Sequence, residues 1–394
     1  MQKSNFKGTV ISCYIGYISQ AIVNNFYPLL FILFQEKFGI TLSQLSLLIT
    51  ANFGTQLLVD ILCSRFADRI GYRRCVVTAH FFCAAGLALL AVLPFALPPF
   101  IGLLVATVTS AVGGGTIEVV VSPIIEACPN DNKAGAMSLL HSFYCWGQMA
   151  VVLISTLVFK FAGIGSWRLL VVFWAVIPFV NAFLYMRVPI NTLPKEEKGG
   201  TRKLLKQKMF WIFMLMMLCA GAAELAMSQW ASAFAESGLK VSKALGDLLG
   251  PCMFALFMGI SRVFYGKFGE KIRLSSFMAI SAALCVLSYL IAAFSPVPLI
   301  AFMGCALCGF SVGIMWPGTY SLGAKAMPLG GTAMFALFAL GGDSGCTLGP
   351  ALAGQISSAF GSDIKMGFAF STAFPLLMFF LALACIRAEK SNQK

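Results

Sequence analysis

The chain has 394 residues, 59% of them hydrophobic and 11% charged, and a net charge of +13. A soluble domain carries roughly 25% charged residues, so a water-covered globular protein is excluded. No basic face is interleaved with aromatic residues, which argues against nucleic acid as the partner of the positive charge.

Twelve apolar stretches follow one another, at about 9–34, 42–64, 75–94, 99–127, 134–160, 168–187, 209–235, 244–265, 274–294, 297–324, 330–358 and 365–387. Each is near the roughly 20 residues a helix needs to cross a bilayer core. The opening MQKSNFKG leads into a long apolar run without a small-residue cleavage site, so it reads as a retained first span. The longest polar interval, VPINTLPKEEKGGTRKLLKQK at 188–208, divides the spans six and six. The expected fold is all-α and membrane-embedded, with twelve transmembrane helices in two pseudo-symmetric bundles. The expected domains are 1–190, a linker at 191–208, and 209–394.

Assigning Lys and Arg to alternate sides puts 22 with the N-terminus and six opposite: Lys37, Lys160, Arg168, Lys240, Lys243 and Lys365. This bias marks the cytoplasmic face, so both termini are expected there, in a plasma or bacterial inner membrane. The 13 cysteines sit mostly in apolar stretches and read as small hydrophobes. The lone CxxC of Cys305 and Cys308 lacks a second pair and reads as helix packing.

The two halves echo each other. An offset of 198 aligns Arg69 with Lys267, Gly71 with Gly269 and Arg73 with Lys271. The ends of spans four and ten also align, Glu126-Ala-Cys-Pro129 with Lys325-Ala-Met-Pro328. A repeat of half the chain length with like topology implies two six-helix bundles related by an axis along the membrane normal.

Asp68-Arg69-x-Gly71-x-Arg73-Arg74, between spans two and three, resembles the signature loop of the major facilitator superfamily. That resemblance implies a gate formed by Asp68, Arg69, Arg73 and Arg74; the plainer reading of the arginines is cytoplasmic-side charge. A narrower resemblance lies in GGGTIEVVVSP from Gly113, SLLHSFYCWGQ from Ser138, GIMWPGTYSLGAKAMP from Gly313 and Val23-Asn24-Asn25. These are similar to the fourth, fifth, tenth and first helices of the fucose:proton symporter family. The resemblance implies that Glu118 takes part in sugar recognition and proton coupling. One departure stands out: the family's coupling aspartate, just after the asparagine pair, falls on Pro28.

Ionisable residues inside a membrane are costly and usually face a wet cavity or a partner. Asp60, Glu118, Glu224 and Asp343 fall in spans two, four, seven and eleven, whereas spans six, nine and twelve have no ionisable residue in their interiors. With a rise of about 1.5 Å per residue, Glu118, His141 and Trp316 lie roughly 10–13 Å from the cytoplasmic end of their helices, and Asn24, Asn25, Gln148, Glu224 and Asp343 roughly 20 Å. The expected cation-coupling acids are Glu118, Asp60, Glu224 and Asp343. The expected substrate-binding residues are Asn24, Asn25, Glu118, His141, Trp146, Gln148, Gln229 and Trp316. Amides both donate and accept, which suits hydroxyl recognition, although asparagines also join membrane helices. The tryptophans read equally as space fillers, and Gly113 to Gly115 as points of close helix approach.

The expected function is secondary active symport of a sugar or sugar-like polar solute, coupled to a proton or sodium by alternating access. Glu118 is the expected proton carrier, with His141 near it. The alternative is proton-coupled efflux of drugs or small metabolites. The glycine-proline motif of drug antiporters is missing from span five, while a GxxxGP run occurs in span eleven, Gly345 to Pro350. No GxxxxGK loop followed by Ser or Thr is present, so an ATPase is not indicated. No enzymatic activity, cofactor or metal is expected. The partners are the solute, its coupling cation and the lipid bilayer, with the chain itself a monomer.

Overall fold

Apolar chain in hydrocarbon satisfies its backbone by forming helix, and each of the predicted stretches does so over its described residues. The computed structural model describes residues 6–40, 42–193, 200–234, 248–361 and 363–391. Every regular element among them is helical. Nine helices among the described residues are long and apolar enough to cross a membrane. Spans one, two and eleven fall outside that set, and these three carry Asn24 and Asn25, Asp60, and Asp343.

Helix ends differ from the hydropathy limits where helix continues into water. Span two runs Leu42–Ile70 and span three Tyr72–Ala96, so the signature loop is mostly helix. Gly71 alone connects them, with φ at +93°, a backbone shape that an L side chain rarely adopts. Hydropathy marks the edge of the apolar layer, not the end of the hydrogen-bonded ladder.

Among the described residues, three spans are interrupted. Span one is Lys7–Phe26, a 3₁₀ turn Tyr27–Leu30, then Phe31–Phe38. Pro28 lies in that turn, where its missing N–H ends the ladder. Span ten is split into Pro298–Val312 and Met315–Ala326, and span twelve into Ile364–Ser371 and Ala373–Ser391. The start of predicted span eight and the last residue of predicted span seven lie outside the described residues.

Contacts divide the chain into two units. The first is Met1–Pro129, Phe143–Glu196 and Gly331–Ala336; the second is Asn130–Ser142, Glu197–Gly330 and Leu337–Lys394. Within the first, span four (Pro99–Ala127) is central, and its glycine triplet turns to three neighbours. A Cβ on Gly113 would lie 2.5 Å from the Ala79 carbonyl oxygen of span three. On Gly115 it would lie 3.2 Å from Gln56 Cα of span two, and on Gly114 3.7 Å from Val23 of span one. Gly113→Ala is therefore expected to lower stability by about 1–3 kcal/mol, the usual cost of overpacking, while Gly114→Ala is nearly neutral. Thermal unfolding of the two purified variants checks this; equal midpoints would contradict the packing.

Within the second unit, spans seven (Lys208–Ala233) and eleven (Gly331–Ala359) approach as closely. A Cβ on Gly349 would lie 2.5 Å from the Ala222 carbonyl oxygen, and one on Gly345 would strike Leu218. The GxxxGP run of span eleven is thus a packing surface for span seven. The cysteines are all free thiols, and Cys308 Sγ lies 3.9 Å from Cys285 Sγ between spans ten and nine.

Candidate functional site

In the first unit, Glu118 is buried in the C-terminal half of span four. Gln20 of span one donates from Nε2 to Glu118 Oε2 at 2.5 Å, a charge-assisted bond between helices. Gln20 is itself buried, and its Oε1 has no hydrogen-bond partner among the described residues. A buried amide oxygen without a donor is costly, so this position suits a hydrogen-bond donor such as a water or a hydroxyl.

One turn along span one, Asn24 and Asn25 continue the polar face. Gln56 of span two donates to Asn24 Oδ1 at 3.4 Å. Asn25 Nδ2 donates to its own helix at Ala21 O, 2.9 Å, and to the Tyr144 hydroxyl at 3.3 Å. Asp60 is buried one turn from Gln56, and residues four apart share a helix face. Gly147 lets span five (Lys133–Ala162) meet span one at Ile18 and Ala21. Its neighbours Trp146 and Gln148 are half-buried. Glu118 with Gln20, Asn24, Asn25, Gln56 and Tyr144 is a set of a carboxylate, amides and a phenol, able to donate to and accept from a polyhydroxylated solute.

At the opposite end of span two, Asp68 accepts a hydrogen bond from Thr332, which also bonds the Tyr72 hydroxyl. Arg73 takes another course. Its guanidinium donates to the carbonyls of Tyr185, Met186 and Val188 at 2.6–2.8 Å, capping the C-terminus of span six (Trp167–Arg187). A cation there also meets the negative end of the helix dipole. Arg69 and Arg74 are exposed.

The second unit holds another charged centre. Arg262 of span eight (Met253–Phe268) is buried. Its Nη2 meets Glu224 Oε2 of span seven at 3.3 Å. Its Nε donates to Gly313 O at 2.8 Å, in the break of span ten, and its Nη1 to His141 O at 2.9 Å. Its own carbonyl accepts from Ser138 at 2.7 Å. A helix break frees carbonyls that need a donor, and the guanidinium supplies one there. The His141 ring lies 5.7 Å from that of Tyr320, which is 6.5 Å from Trp316. Trp316 packs on Gly342, beside buried Asp343. Gln229 is exposed at the end of span seven, where neighbouring Trp230 donates to Pro350 O at 3.0 Å.

Four of these partners were not singled out by sequence: Gln20, Gln56, Tyr144 and Arg262. Gln20 and Gln56 lie one turn before Asn24 and Asp60, a spacing that was legible. Arg262, one of the cations assigned to the side of the termini, lies inside the predicted span 244–265, and its charge is paired within the helices.

The profile of the Major Facilitator Superfamily matches residues 13–346 and 253–394. The E. coli fucose:proton symporter FucP superposes with a TM-score of 0.82 at 17% identity, over 96% of this chain and 99% of that one. The proton:xylose symporter XylE, bound to 6-bromo-6-deoxy-D-glucose, gives 0.82 at 11% identity, over 95% and 94%. The human organic anion transporter MFSD10 (TETRAN) gives 0.75 at 14%, over 96% and 100%. At these identities the likeness establishes a shared fold. No curated protein matches the chain in sequence.

Proposed function

The chain belongs to the major facilitator superfamily, and on that premise we propose that this transporter carries a sugar or a sugar-like polar solute in symport with a proton. The observation that carries the reading is the Gln20–Glu118 contact, with its unsatisfied amide oxygen, beside Asn24, Asn25 and Tyr144. As a carboxylate, Glu118 accepts from Gln20. Protonated, it becomes a donor, and the neighbouring amide oxygen or a solute hydroxyl can accept from it. Proton and solute then share one pair of groups, which is how two bindings become thermodynamically linked.

Pro28 counts against carrying the family's proton mechanism over whole and favours sodium as the rival, so a proton carrier here has to be another acid, for which we take Glu118. The position that would hold a coupling aspartate in the fucose:proton symporter family is here an exposed proline without an ionisable group. The acids Asp60, Glu224 and Asp343 remain candidate cation sites, with sodium as the rival ion. We also place residues 1–190 and 209–394 as the two moving bundles, joined by a linker at 191–208, with both termini cytoplasmic. The solute sites Trp146, Gln148, Gln229, His141 and Trp316, and the gate residues Asp68, Arg69, Arg73 and Arg74, belong to this proposal.

The test is solute-driven proton movement in proteoliposomes, with hexoses, deoxyhexoses and polyols offered with and without sodium. Internal acidification with one of these solutes is expected. Sodium-dependent uptake without a proton signal would move coupling to Asp60 or Asp343. Silence across the panel would sink the sugar reading and favour efflux.

A further inference from the structure

Three of the few cations at the helix ends opposite the termini sit on phenylalanine rings of the first unit. Lys37 Nζ lies 5.2 Å from the centroid of Phe95, and Arg168 Cζ lies 4.6 Å from the same centroid. Lys160 Nζ lies 5.7 Å from the Phe161 ring. All three cations are exposed. Neither Lys37 nor Arg168 is paired with a carboxylate among the described residues.

One ring holding two like charges without a carboxylate is an arrangement that attracts an anion. Each cation gains from the ring quadrupole, but the two repel one another. Arg168 is also at the wrong end of its helix. It occupies the first turn of Trp167–Arg187, whose Ser166 cap makes no side-chain bond to the helix. The dipole there is positive and favours negative charge. The guanidinium is nevertheless held in place, because Nε donates to Ala91 O at 2.9 Å. That bond leaves the two Nη groups for an outside acceptor, in the fork geometry that suits a phosphate.

The floor and flank of this corner identify the source of the phosphate. Phe95 stacks on Trp167 with centroids 6.2 Å apart and meets Phe38 edge-on at 5.2 Å. Trp167 is fully buried and backs the Phe95 ring, which is 46% exposed, so the cations sit beside a firmly held apolar face. Leu169, next to Arg168 in the chain, is 78% exposed. A phosphate with acyl chains fills both parts, the anion at Lys37 and Arg168 and the chains along Leu169 and the exposed edge of Phe95. A free phosphate fills only the first. We propose that Lys37, Arg168 and the Phe95 ring form a binding site for the phosphate of an anionic lipid headgroup.

The experiment uses the purified full-length transporter in detergent, titrated with phosphatidylglycerol, phosphatidylcholine or inorganic phosphate. Bound lipid is counted by native mass spectrometry, and stability is followed by thermal unfolding. The wild type is expected to prefer phosphatidylglycerol. In Lys37→Ala/Arg168→Ala that preference weakens on the order of tenfold and one fewer lipid is retained. Lys37→Gln/Arg168→Gln, which keeps polar side chains of similar reach, gives the same loss and guards against a misfolded alanine variant. An unchanged preference in both variants overturns the site and leaves the cations as snorkelling side chains. Full stabilisation by inorganic phosphate alone, with nothing added by phosphatidylglycerol, overturns the lipid assignment in favour of a soluble anion. Solute transport is not the readout, so failure here is distinguishable from failure of the symport reading.

Discussion

Glu118→Gln is expected to abolish pH-driven accumulation of the solute while leaving solute exchange across the membrane. Glutamine has the size of glutamic acid, still offers a carbonyl oxygen to Gln20 Nε2, and cannot titrate. Local packing survives, since only one atom of the side chain changes. What disappears is the link between protonation and solute binding. Coupling free energies between two sites are typically about 1–3 kcal/mol, so the roughly 5–150-fold gain in solute affinity that protonation confers is lost. Counterflow with solute on both sides requires no net proton movement and persists. Gln20→Leu is a companion variant: it removes the buried amide and leaves the carboxylate without its charge-assisted donor, so both uptake and exchange drop. The measurement is uptake of labelled solute with and without an imposed pH gradient. Undiminished pH-driven uptake by Glu118→Gln removes this carboxylate from the coupling mechanism and returns the role to Asp60, Glu224 or Asp343.

The parts of this architecture that sequence revealed are those governed by local composition. Apolar length located the helices, and the charge of the loops and the spacing of Asp68, Gly71 and Arg73 located the tight turn between spans two and three. Glycines at 113 to 115 were legible as close contacts, but not which helix each one meets. That depends on three-dimensional angles: successive helical residues are about 100° apart, so three consecutive glycines turn to three neighbours. Partner identity was the harder part. Gln20 and Glu118 are 98 residues apart, and Arg262 and Glu224 are 38 apart. Nothing in a single sequence ties such pairs together. The break in span ten was similarly silent, because GIMWP reads as apolar helix until a neighbouring arginine is seen donating to Gly313 O.

Arg262 supplies the other large expected effect, in stability. Arg262→Met alone leaves Glu224 buried without its counter-charge and withdraws the donors from Gly313 O and His141 O. Breaking one side of a buried ion pair typically costs about 3–5 kcal/mol. A sharp fall in the thermal midpoint is therefore expected. Glu224→Gln alone costs less, because the guanidinium keeps its two carbonyl acceptors and an amide oxygen takes the place of the carboxylate oxygen. In the double variant both charges are gone, so the cost of leaving one buried charge uncompensated disappears. The double variant is accordingly expected to recover much of the stability lost in Arg262→Met, a non-additivity that a double-mutant cycle measures directly. Transport then separates two roles for the pair. If Glu224 releases Arg262 as part of the ion cycle, the refolded double variant binds solute but does not couple it to the ion gradient. If the pair is structural, the same variant transports normally. Additive stability losses would show that the guanidinium acts through its carbonyl bonds at the span-ten break rather than through Glu224. The helix break itself would then be the element that this arginine maintains.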